Sequence, residues 1–183
     1  LNAFNELYDL HPREFKKGEE LNKILILNFN YTSTIEKMIR PTAKISINYI
    51  HGKLGDINNP IIFGYGDEMH KYYEAIEQLD SNDFLMNIKS FNYFKTNNYQ
   101  NFISFIDSES FEVSIMGHSC GLSDRILLNS VFEHKNCERI KIYYHQKSDS
   151  DNDYFEKTQQ ISRHFRPVNK GEMRKKIIPF PES

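Results

Sequence analysis

The chain has 183 residues, with 23 Lys or Arg against 25 Asp or Glu, for a formal net charge of −2. That balance argues against a broad basic surface for nucleic acid. A mean hydropathy of −0.63, with no uninterrupted apolar run of about 18 residues, argues against a membrane span. Two cysteines, Cys120 and Cys137, are too few for a disulfide framework, so the expected location is a reducing cytoplasm.

In chain order, Lys23 to Phe29 is apolar at successive positions, as in a parallel strand covered on both faces. Ser33 and Glu36 have capping-box spacing and predict a short helix to about Ile39, ended by Pro41. Ile45 to Ile50 is a second strand, Ile61 to Phe63 a third, Phe111 to Met116 a fourth and Arg139 to Tyr144 a fifth, nearer the sheet edge. Phe84, Leu85, Ile88, Phe91 and Phe94, then Phe102, Ile103 and Ile106, make an apolar stripe: one long helix, or two broken near Thr96-Asn97-Asn98. Asp124 stands where it can cap a helix carrying Ile126 to Phe132. Residues 153–165 predict a last polar helix. The stretch 166–183 holds Pro167, Pro179 and Pro181 and is expected to be extended or loose. Strands alternating with helices predict one α/β domain over 1–183 with a mostly parallel sheet.

Ligands of such sheets bind outside the carboxyl ends of the strands. Those ends carry Asn28 to Thr32, His51-Gly52, Gly64 to Glu68 and Gly117 to Asp124. Small polar groups and two histidines at successive strand ends point to a shared cleft. Each stretch taken alone reads as an ordinary turn.

Four blocks in this order, Asn-Phe-Asn-Tyr-Thr-Ser-Thr-Ile-Glu (28–36), Tyr-Ile-His-Gly (49–52), Ile-Phe-Gly-Tyr-Gly-Asp-Glu (62–68) and Gly-His-Ser-Cys-Gly-Leu-Ser-Asp (117–124), resemble the bacterial abortive-infection AbiH family over roughly residues 20 to 145. That family is in turn distantly similar to the sirtuin-like domains of phage-defence NAD hydrolases. The resemblance implies a Rossmann-like three-layer fold, here an incomplete sirtuin-like domain. It also implies phage defence and a nucleotide site with NAD as ligand or substrate. Carried over, Asn30 positions water or the nicotinamide ribose and His51 acts as base. Asn28, Tyr31, Thr32 and Gly52 line the ligand, and Gly117, His118, Ser119 and Asp124 take its ribose or adenine side. Thr32 stands where the wider pattern has Asp. The Gly-Asn-Gly-Phe-Asp loop that opens AbiH proteins is not found, and the chain begins at Leu1, so an N-terminal part is expected to be missing. Partners implied are a nucleotide, and a second copy or a defence protein.

Two other readings stand beside this one. The first is a nucleotide-sensing or protein-binding module without catalysis. The second is an α/β serine hydrolase, because Gly117-His118-Ser119-Cys120-Gly121 fits the G-x-S-x-G elbow after a strand and before a helix. Ser119 would be its nucleophile, His51-Gly52 its oxyanion loop, and Asp149 or Asp151 and then His164 the rest of a triad. His164 is expected to lie too far from Ser119. No metal is expected, since the histidines and cysteines lack ligand spacing. Adjacent Asp67 and Glu68 read as surface charges before they read as an acid–base pair.

Overall fold

The computed structural model describes residues 23–39, 41–65, 68–148 and 151–180. The chain forms two compact units, one up to Ile61 and one from Ile62 onward, where the sequence suggests a single domain.

In the first unit β1 (Ile24–Asn28) is followed by α1 (Thr34–Met38) and β2 (Ile45–Tyr49). β1 and β2 pair in parallel from Ile24↔Ile45 to Asn28↔Tyr49. The capping box does not form: Ser33 makes no side-chain cap. Glu36 turns instead to the Tyr49 hydroxyl, which donates to its Oε1 at 2.9 Å, and to Lys53 Nζ at 2.7 Å. Burial, and then the Glu36 carboxylate, push the Tyr49 phenol up to about 12.

The second unit opens with an expectation that fails. Ile61 to Phe63 is not a strand, because Pro60 cannot donate to a ladder and Gly64 turns to φ +143. Only Tyr65 makes a bridge, to Ile88, and its N–H bonds the Asn87 carbonyl at 3.2 Å. The long stripe is also broken up, into α2 (Tyr73–Glu77), α3 (Asn82–Leu85), α4 (Lys89–Asn92) with a 3₁₀ turn at Tyr93–Lys95, and α5 (Asn98–Ser108). Ile88 and Thr96, both extended, make the breaks. Phe102 and Ile106 are buried, whereas Phe84, Phe91 and Phe94 are exposed.

β3 (Phe111–Met116) and β4 (Cys137–Tyr143) pair in parallel. Between them run a 3₁₀ turn (Leu122–Asp124) and α6 (Arg125–Phe132). α6 buries Leu127, Leu128, Val131 and Phe132, and β4 buries Ile140 and Ile142. This apolar set is the core of the unit. A short antiparallel pair follows, β5 (Gln146–Ser148) with β6 (Asp151–Asn152), then α7 (Tyr154–Ser162). Among the described residues the strands thus form three two-stranded sheets. The mixture of helices and parallel pairs is α/β.

Among the described residues the stretch 166–180, expected to be extended or loose, is folded. Pro167 opens a 3₁₀ turn, where a missing N–H costs nothing, and α8 (Lys170–Lys176) follows. Beyond α8, Ile177 bridges Ile140 in parallel and the Ile178 N–H bonds the Ile140 carbonyl at 3.0 Å. Buried Tyr154 donates its hydroxyl to the Ile178 carbonyl at 2.6 Å.

Candidate functional site

Parallel pairing of β1 and β2 brings two loops to one edge of the first unit. Asn30 and His51 each stand two residues beyond the paired Asn28 and Tyr49. Their surroundings differ. Asn30 is exposed and His51 is 3% exposed. The His51 ring meets Phe29 edge-on at 5.3 Å between centroids, and Tyr31 lies at 6.5 Å. Asn28 is buried, and its Oδ1 accepts the Asn30 N–H at 3.1 Å, so its side chain shapes the turn. The Tyr31 carbonyl accepts the Leu54 N–H at 2.7 Å, which ties the two loops together. Thr32 is exposed, with its hydroxyl 3.1 Å from that of Thr34. Gly52 has φ +85, and a Cβ there would lie 2.1 Å from the Pro60 carbonyl oxygen, so only glycine fits.

The Gly117 to Asp124 loop belongs to the second unit. Gly117 turns at φ +65 in open space and Ser119 is exposed. Cys120 is held at φ +52, unusual for a side-chain-bearing residue. Both peptide groups beside it are anchored by imidazoles. Its N–H donates to His118 Nδ1 at 3.0 Å, and its carbonyl accepts from His164 Nε2 at 2.7 Å. Burial pushes the Cys120 thiol up to about 11, despite Lys157 nearby, which suits an inert thiol.

Asp124 sits at the N-cap of α6 but makes no side-chain cap. Its carboxylate takes Lys89 Nζ on Oδ1 at 2.9 Å and the Ser123 hydroxyl on Oδ2 at 3.3 Å. His118 Nε2 lies 3.7 Å from the same Oδ2. Lys89 and Asp124 are both buried, an arrangement that is stable only when the charges stay paired. Two residues before Lys89, the Asn87 carbonyl lies 2.0 Å from where a Gly64 Cβ would stand. The Lys89 N–H also donates to the Tyr65 carbonyl at 3.0 Å, so Tyr65 and Asp124 are linked through Lys89.

Sequence reasoning missed Lys89 and Lys157. Lys89 interrupts the apolar stripe between Ile88 and Phe91 and Lys157 lies in a polar helix, and nothing local marks either as a partner of a distant loop. Ser119 Oγ and the His164 ring form no hydrogen bond. His164 is wholly buried and its donor is spent on Cys120. Asp151 is exposed in β6, and Asp149 and Asp67 lie outside the described residues. Among the described residues no group of three or more His, Cys, Asp or Glu is arranged to hold a metal ion, and no helix is long and apolar enough to cross a membrane.

Two α/β units with polar loops at the carboxyl ends of parallel strands define the class of protein. Residues 2–146 match the family described as "Bacteriophage abortive infection AbiH", and the chain belongs to that family. No curated protein matches it. No solved structure matches it.

Proposed function

We propose that the chain acts in abortive infection by binding NAD at the loops after β1 and β2 and hydrolysing it there. The observation that carries this reading is the placement of Asn30 and His51, each two residues past a register pair at one edge of a parallel sheet. In the proposed step the nicotinamide–ribose bond breaks and its electron pair leaves with neutral nicotinamide. Water bonds to the anomeric carbon and gives a proton to His51, while Asn30 orients that water or the ribose. The aromatic walls around His51 suit a base shielded from bulk water.

The test is NAD level in phage-infected cells expressing the full-length protein, wild type against Asn30→Ala and His51→Gln. NAD should fall with wild type alone. NAD that stays constant in cells protected by the wild type rejects hydrolysis.

A second reading, a nucleotide-sensing or protein-binding module without catalysis, is favoured by one observation. His51 is 3% exposed and so packs as a core residue. Purified protein that binds NAD and releases no nicotinamide supports this reading. A serine hydrolase draws no support, because among the described residues no histidine is bonded to Ser119 to activate it.

A further inference from the structure

The Gly117 to Asp124 loop is braced by side chains that lie beyond the family-matched residues 2–146. Lys157, on α7, donates its Nζ to the His118 carbonyl at 3.2 Å. His164, just past α7, donates its Nε2 to the Cys120 carbonyl at 2.7 Å. Asn129 on α6 in turn donates to the His164 carbonyl at 2.7 Å, which ties His164 to α6. A trans peptide points its C=O and the following N–H in opposite directions. Drawing the carbonyls of His118 and Cys120 toward Lys157 and His164 therefore turns the N–H groups of Ser119 and Gly121 to the other side of the loop. Left-handed Cys120 needs this support, since its backbone geometry is disfavoured on its own.

We infer that Lys157 and His164 are positioning residues for the Gly117–Asp124 loop, so that the working unit extends beyond the family-matched region. The part of the inference that concerns function rests on the reading of the chain as a phage-defence protein, in which an ordered 117–124 loop is needed for protection. Neither residue is assigned contact with a ligand.

Lys157→Met is the leading variant, because the Lys157 side chain keeps 12% exposure and its loss is tolerable. The variant also loses an ion pair to Asp153 at 3.5 Å, which Lys157→Arg retains. Lys176→Met is the control: it removes donors to the Phe132 and His134 carbonyls, away from the loop. In the full-length protein, amide exchange of 117–124 should be about tenfold faster in Lys157→Met. Exchange there should be restored in Lys157→Arg and unchanged in Lys176→Met. Phage protection, counted as plaques, should be lost and regained in the same pattern. His164→Gln, which keeps a donor, should protect better than His164→Leu. Unchanged loop exchange in Lys157→Met overturns the brace, and full phage protection with a loosened loop overturns its functional role. Titration of wild-type protein with NAD judges the NAD reading separately, since the exchange result does not depend on it.

Discussion

His164 Nε2 stands 2.7 Å from the carbonyl oxygen of Cys120, forty-four positions earlier in the chain. A carbonyl only accepts, so Nε2 carries the proton and the neutral ring is fixed in one tautomer. Burial holds this imidazole below its ordinary value of 6.5, outweighing the Cys120 carbonyl, which favours the charged form. Arg125 adds to the lowering and Asp124 opposes it.

Stability should therefore fall with acid in a defined direction. Below about pH 6.5 the unfolded chain takes up a proton at this ring while the native ring resists, so the unfolded state binds more protons. The contribution of His164 is complete above pH 6.5 and is lost as pH drops from 6.5 toward the native value. Melting temperature measured against pH should show this slope in the wild type. His164→Gln, which does not titrate, should flatten it; an identical slope in both proteins would assign it elsewhere.

Replacing His51 should cost more than a loop position suggests. The sequence places it just after a strand, where little packing is lost, but the ring is 3% exposed and stands against Phe29. His51→Ala should destabilise by about 2–3 kcal/mol. Asn30→Ala, at an exposed side chain, should stay within about 0.5 kcal/mol. Urea melts of both variants check the contrast, and equal losses would contradict it.

Gly52 and Gly55 make a matched pair. Both have left-handed backbone, φ +85 and +79, but a Cβ at Gly52 collides with Pro60 whereas one at Gly55 meets open space. Gly55→Ala should cost about 1–2 kcal/mol from backbone strain alone. Gly52→Ala should cost about 3 kcal/mol or more, because backbone must move. Comparable denaturation midpoints would show that Pro60 yields easily.

The Lys89–Asp124 pair should behave non-additively. Lys89→Met takes the ammonium away from a buried carboxylate and should cost about 3 kcal/mol. Lys89→Met with Asp124→Leu removes both charges and should recover much of that loss. A double variant as unstable as the two single losses combined would mean that the charges do not couple.

The parts of this chain visible in its sequence are those set by local pattern. β1 falls on an apolar run and β2 to β4 on alternating stretches, although Ile24 to Leu27 are half-buried in the structure and not covered on both faces as the run suggests. The segment after Pro60 misled because three apolar residues look alike in a strand and in a pinned turn. The Phe84 to Phe94 stripe misled because extended Ile88 breaks the periodicity on which its helix depended. Asp124 has the side chain of a helix cap and stands at a helix start, yet tertiary contact gives its carboxylate to Lys89. The prolines after residue 166 suggest an extended or loose stretch, whereas Lys176 reaches the Phe132 and His134 carbonyls, more than forty residues away. No periodicity records a partner at that distance.

The return of Ile177 and Ile178 beside Ile140 also bears on how the molecule is made. During translation β3 and β4 leave the ribosome well before Ile178 does, so the outer edge of β4 stays open until that residue emerges. An open strand edge invites pairing with other chains. The second unit is thus most exposed to aggregation between the emergence of β4 and that of Ile178, and a chain released without Ile177 and Ile178 would keep the β4 edge open at Ile140.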